Sequence, residues 1–185
     1  MCRRRRSRHP AGGPGTAVIW WRSTPPSSAA TATDAERLEV VVRHVAQAVD
    51  AVEWALSRAS VSEDSIETIA TGLRRTTLLD RIRFQLSGER YRLADFPASA
   101  RAVREEGAFT IRSDDPDADG AERSLLAEYD YASVTAVAVA GAGVSYLVEL
   151  YGDRVADAAP AAAGALRLLC REAVRPRPAR LARAA

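Results

Sequence analysis

The spacing of apolar residues changes along the chain, and each change predicts a new element. Leu38, Val41, Val42, Val45, Val49 and Val52 recur every three or four residues, which predicts a first helix with one apolar stripe. Thr33-Asp34-Ala35-Glu36 opens it as a capping box, the threonine hydroxyl accepting from the Glu36 N–H while the carboxylate reaches back. The period then falls to two. Val52, Trp54 and Leu56 alternate with Glu53, Ala55 and Ser57, which predicts a strand with one face on the core. Ile66 to Thr71 predicts a second strand, ended by Gly72, and Ile82, Phe84 and Leu86 predict a third. Ser87-Gly88 turns the chain so that Tyr91-Arg92-Leu93 can pair back.

Pro97 suits a helix start, because its ring fixes φ and its missing N–H would go unpaired there anyway; Gly107 marks the end. Phe109-Thr110-Ile111 reads as a short strand. After an acidic turn, Asp119-Gly120-Ala121-Glu122 repeats the capping-box logic and opens a helix to about Glu128. Val134 to Ala140 and Val144 to Tyr151 predict a hairpin joined at Gly141-Ala142-Gly143. A last helix is predicted over Ala159 to Val174, with Leu166, Leu169, Cys170 and Ala173 on one face, stopped by Pro176 and Pro178. Hairpins dominate and regular strand–helix–strand units are missing. The expected class is α+β, a mainly antiparallel sheet of about five to six strands with helices on its faces.

Composition adds three things. Of the 185 residues 47% are apolar, as in an ordinary globular domain, and no apolar run approaches the ~20 residues of a spanning helix. All 26 basic residues are arginines. Their distribution divides the chain. Residues 1–33 hold six arginines and no acid, residues 34–173 hold sixteen against all 24 acids, and residues 174–185 hold four and no acid. This predicts an acidic domain, residues 34–174, between a disordered basic arm with linker (1–33) and a basic tail (175–185). Cys2 and Cys170 form no metal or disulfide pattern, so a reducing cytoplasm is the expected setting.

Three stretches then carry a family resemblance: Leu93-Ala94-Asp95-Phe96-Pro97, the run Ser113 to Glu122, and Ser133 through the hairpin to Leu147-Val148-Glu149-Leu150-Tyr151. In order and spacing they resemble the GAF domain, a small-molecule sensor module of bacterial signalling proteins with a PAS-like architecture. The likeness spans about Glu36 to Val174. It implies first and last helices together on one sheet face, short helices on the other, and a ligand pocket under the short ones. Tyr91, Asp95, Phe96, Glu122, Tyr129, Tyr131 and Tyr146 are then the candidate pocket residues. Two positions depart from the family pattern: Ala138 stands where it has a proline, and Tyr146 where it has a glycine. If the Tyr146 side chain faces the pocket, it partly fills it.

Other chemistry is weak in this sequence. Asp115 to Gly120 matches the start of a calcium loop, but positions nine and twelve are Arg123 and Leu126, so a capping turn is expected and no metal. His9 and His44 cannot make a zinc site, and neither stands where haem-binding relatives carry an axial ligand. Cys170 lies on an apolar stripe and reads as core. Gly141-Ala142-Gly143 leads into a strand, not a helix N-terminus, so it is no phosphate cradle. No enzyme and no cofactor are expected. The resemblance implies a non-catalytic sensor module that binds an unidentified small molecule, forms a homodimer through its first and last helices, and passes its signal to a separate output protein. Two alternatives stand beside it. One is a degenerate GAF with a filled pocket that only dimerises or docks. The other is a nucleic-acid or anionic-surface binder acting through the arginine-rich arm.

Overall fold

In the computed structural model, residues 32–73, 90–153 and 159–176 are described. The predicted strand at Ile82–Leu86, its turn at Ser87-Gly88 and both basic termini lie outside them. The described elements are α1 (Asp34–Ala48), β1 (Glu53–Ser60), β2 (Ser65–Leu73), β3 (Arg90–Arg92), α2 (Pro97–Glu105), β4 (Ala108–Arg112), α3 (Gly120–Glu128), β5 (Ser133–Ala140), β6 (Ser145–Gly152) and α4 (Ala159–Val174). A 3-10 turn, Leu93–Asp95, precedes α2.

The six strands form one sheet in the order β3-β2-β1-β6-β5-β4, and every pairing is antiparallel. The predicted α+β class holds. So do the first capping box and the β5–β6 hairpin, where Gly143 takes the positive φ that its tight turn requires. Glu122 departs from the expected box. Asp119 caps α3 through Ala121 N and Glu122 N at 2.9 and 3.3 Å, but the Glu122 side chain turns away to Ser99.

One sheet face carries α1 and α4. Leu38, Val42 and Val45 of α1 and Leu166 and Cys170 of α4 pack on Trp54, Leu56, Val137, Val139, Tyr146, Val148 and Leu150. Arg37 joins the two helices by donating from Nε to the Ala173 carbonyl at 2.6 Å. Burial pushes the Cys170 thiol up to about 12, as its core position requires. Leu169, expected on the buried stripe, is 45% exposed. Val49 is also exposed, because α1 ends one residue before it and Asp50 reverses the chain with a positive φ.

The other face is roofed by α2 and α3. Asp119 holds the roof together, since its second oxygen also accepts from Ala98 N, at 2.9 Å, and so caps α2. The sheet is therefore a middle layer, and β1 at its centre is covered on both sides. That corrects the expected half-exposed β1: Glu53, Ala55 and Ser57 are all buried.

Candidate functional site

Between the central strands and the roof lies a cavity that is partly open to solvent. Its floor comes from alternate residues of β1 (Glu53, Ala55, Ser57) and β6 (Leu147, Glu149, Tyr151), with Ile66, Thr68 and Thr71 of β2. A bulge makes the β2 contribution possible. Ser57 pairs with Thr68 and Leu56 with Ala70, so Ile69 is the extra residue. Thr68 and Thr71, three apart, consequently line the same cavity. Tyr91, Phe96, Ser99, Glu122, Leu125, Tyr129 and Tyr131 complete the walls. Ala55 and Ala136 flank Glu149 on the neighbouring strands, and the short Ala55 side chain forms part of the floor.

Of the predicted pocket residues, Tyr91, Phe96, Glu122, Tyr129 and Tyr131 are brought together in these walls. Asp95 and Tyr146 are not. Asp95 is exposed on the 3-10 turn, 3.9 Å from Arg92, because Leu93 takes the inward position there. Tyr146 lies on the opposite sheet face, in the core under α1. Strand alternation decides this: the cavity phase of β6 is Leu147, Glu149 and Tyr151, so Tyr146 belongs to the other. The ring expected to obstruct the pocket instead fills the helix layer.

Three carboxyl groups dominate the interior. Glu53, Glu122 and Glu149 are 2%, 1% and 9% exposed. Glu53 pairs in register with Tyr151 and Glu149 with Ala55, so the two glutamates are diagonal neighbours, typically about 7–8 Å apart at Cα. The Tyr131 hydroxyl donates to Glu53 Oε2, and Ser99 Oγ donates to Glu122 Oε1 at 2.6 Å. Burial disfavours the charged form of each. It pushes Glu53 up to about 8, against the pull of the Tyr131 hydrogen bond. Glu149 also rises to about 8, through burial first and then the charges of Glu122 and Glu53. Glu122 is raised too, chiefly by burial, with Asp119 adding to the effect.

Aromatic rings line the same space. Tyr131 packs against Tyr151 with centroids 5.0 Å apart and stacks on Tyr129 at 6.3 Å, while Tyr91 meets Phe96 edge-on at 6.1 Å. Sequence reasoning missed Glu53, Glu149, Ser57, Thr68, Thr71, Ser99 and Tyr151. The available signal was a glutamate embedded in an otherwise apolar strand, Leu147-Val148-Glu149-Leu150-Tyr151.

Comparison with known proteins adds the fold's name. No protein-family model matches the chain, and no curated protein sequence does. Solved structures do. The GAF domain of a two-component sensor histidine kinase from Bacillus halodurans superposes with a TM-score of 0.52 at 10% identity, over 74% of this chain and 92% of that one. The GAF domain/HD domain protein from Geobacter sulfurreducens gives 0.55 at 14% identity, over 79% and 93%. The phycoerythrobilin-bound GAF domain from a cyanobacterial phytochrome gives 0.54 at 12% identity, over 78% and 96%. The fold is that of a GAF domain. Within this GAF fold, the cavity is bounded by the central strands on one side and by α2, α3 and the Tyr129–Tyr131 segment on the other. Among the described residues no helix is long and apolar enough to cross a membrane.

Proposed function

We propose that this GAF-fold chain is a non-catalytic sensory module that binds a small molecule in the cavity lined by Glu53, Glu122 and Glu149. The supporting observation is the pocket itself: it lies between the sheet and its roof, and its walls mix aromatic rings with a few buried polar groups, the chemistry of small-molecule sites. The similar structures favour the same reading, one being part of a sensor histidine kinase and another holding phycoerythrobilin. A degenerate, filled pocket loses its motive once Tyr146 lies on the other face.

The signal would cross the sheet. Alternate residues of β1 contact the cavity and the α1/α4 layer, Ala55 and Ser57 on one side, Trp54 and Leu56 on the other. A ligand that binds one strand arrangement better than another shifts the population of both layers. The output is then a helix-mediated contact with a second copy or a separate partner. Val40 on α1 and Leu168 and Leu169 on α4 offer exposed apolar side chains for it, Leu168 being 64% exposed.

Thermal unfolding tests the ligand site. A compound present at a hundredfold its Kd is expected to raise the melting temperature by about 5–10 °C. Leu125→Trp, which places a large ring in the cavity from a half-buried position, is expected to abolish that rise. A chemically broad screen with no shift, or shifts that survive Leu125→Trp, would contradict the reading.

A further inference from the structure

We propose that the ligand of this cavity is an organic cation, a compound carrying one or more protonated amino groups on an apolar stem. The inference rests on the cavity being a ligand site and adds the chemical class. Its basis is the set of groups that face the space. Glu53, Glu122 and Glu149 reach it from three different elements, β1, α3 and β6, and among the described residues no arginine or histidine lines it. Among the described residues, the side-chain donors that meet these carboxyls are the hydroxyls of Tyr131, Ser99 and Tyr151. Ser99 Oγ serves one oxygen of Glu122; among the described residues the other oxygen, Oε2, accepts no hydrogen bond, although that side chain is 99% buried.

A buried carboxylate without a cation is costly, and three sharing one space repel each other. The mutual effect is visible at Glu149, which the charges of Glu122 and Glu53 push further toward its protonated form. An ammonium group placed among them supplies the missing counter-charge and three N–H donors for carboxylate oxygens. The remaining walls suit the rest of such a molecule. Phe96, Ile66, Leu125 and Leu147 offer apolar surface for a methylene chain.

Competing classes fit less well. Phosphate- or carboxylate-bearing ligands would meet three acids and, among the described residues, no base. A bare metal ion needs converging ligands, and among the described residues no group of three or more His, Cys, Asp or Glu side chains is arranged to hold one.

The test is calorimetric titration of the full chain at pH 8, with thermal unfolding in parallel. The probes are 1,4-diaminobutane, spermidine and agmatine, against the neutral 1,4-butanediol, the anionic succinate, and Mg²⁺ and Mn²⁺. The expected result is binding by at least one amine and by none of the other probes. Glu149→Gln, which keeps the side chain's shape, should weaken binding at least tenfold, and so should Glu53→Gln. Leu125→Trp should remove it. Because the carboxyls must lose their protons to hold the cation, titrations in buffers of different ionisation enthalpy should show net proton release from the protein's acids. Binding by succinate, butanediol or a metal instead, sensitive to Leu125→Trp, would overturn the ligand class and leave the cavity as a site. Amine binding that persists in both glutamine variants and in Leu125→Trp would place it on the acidic surface and overturn the proposal. No binding by any probe, joined to no thermal shift in the broad screen, would overturn both the class and the site.

Discussion

At pH 9 the ligand-free Glu53→Gln/Glu149→Gln protein is expected to be more stable than the parent, and the difference should vanish toward pH 4.5. In the unfolded chain both carboxyls ionise near their ordinary 4.5, whereas in the folded protein both hold their protons to about 8. Below 4.5 both states are protonated and neither group distinguishes them. Between 4.5 and about 8 the unfolded chain releases protons that the native state keeps, so each rise in pH favours unfolding. Above about 8 the loss levels off. A single carboxyl displaced this far costs on the order of 3–5 kcal/mol at alkaline pH, and the pair less than twice that, because each charge already opposes the other. Glutamine escapes the cost. It does not ionise, it keeps an acceptor for the Tyr131 hydroxyl, and it occupies nearly the same volume. Urea unfolding from pH 4.5 to 9 checks this. Parallel stability curves for the parent and the double variant would show that the acids are solvated.

Leu166→Ala is expected to cost about 2–5 kcal/mol at any pH. Leu166 is fully buried in the layer where α4 meets α1 and the sheet, in one cluster with Leu38, Val42, Val148 and Cys170. Truncation there removes three carbon atoms' worth of contacts and leaves a void, since two helices held against a sheet collapse only in part. Chemical denaturation should show a lower midpoint with an unchanged slope. A cost below about 1 kcal/mol would mean that α4 is not docked as described.

Most of the architecture was legible in the amino-acid order, because helices and strands announce their period. The alternation of Trp54 and Leu56 with Glu53 and Ala55, or of Val148 and Leu150 with Glu149 and Tyr151, places side chains on two faces. It does not say which face is roofed, nor by what. Glu53 therefore read as the exposed side of a half-buried strand, and the structure covers it because β1 sits in the middle of six strands between two helix layers. The same ambiguity put Tyr146 beside the pocket. Aromatic residues close in sequence to the roof helices, such as Phe96, Tyr129 and Tyr131, were found because the family resemblance sets those segments against the pocket, and they do line it. Glu53 and Glu149 meet only through strand pairing, a contact that one strand's pattern does not carry. The β2 bulge was likewise hidden, since one extra residue in a strand leaves no mark on its composition.

The account stands on buried acids that hold their protons unusually high, Glu53 and Glu149 to about 8, with Glu122 raised beside them. Carbon-13 NMR of the protein labelled at glutamate side-chain carboxyls, titrated from pH 3 to 10 and assigned by single glutamine substitutions, observes this directly. Glu53 and Glu149 are expected to titrate near pH 8, with Glu122 also above the ordinary glutamate range, and to move to lower pH when a binding amine is present. Three resonances that titrate together near pH 4.5, with or without an amine, would contradict it.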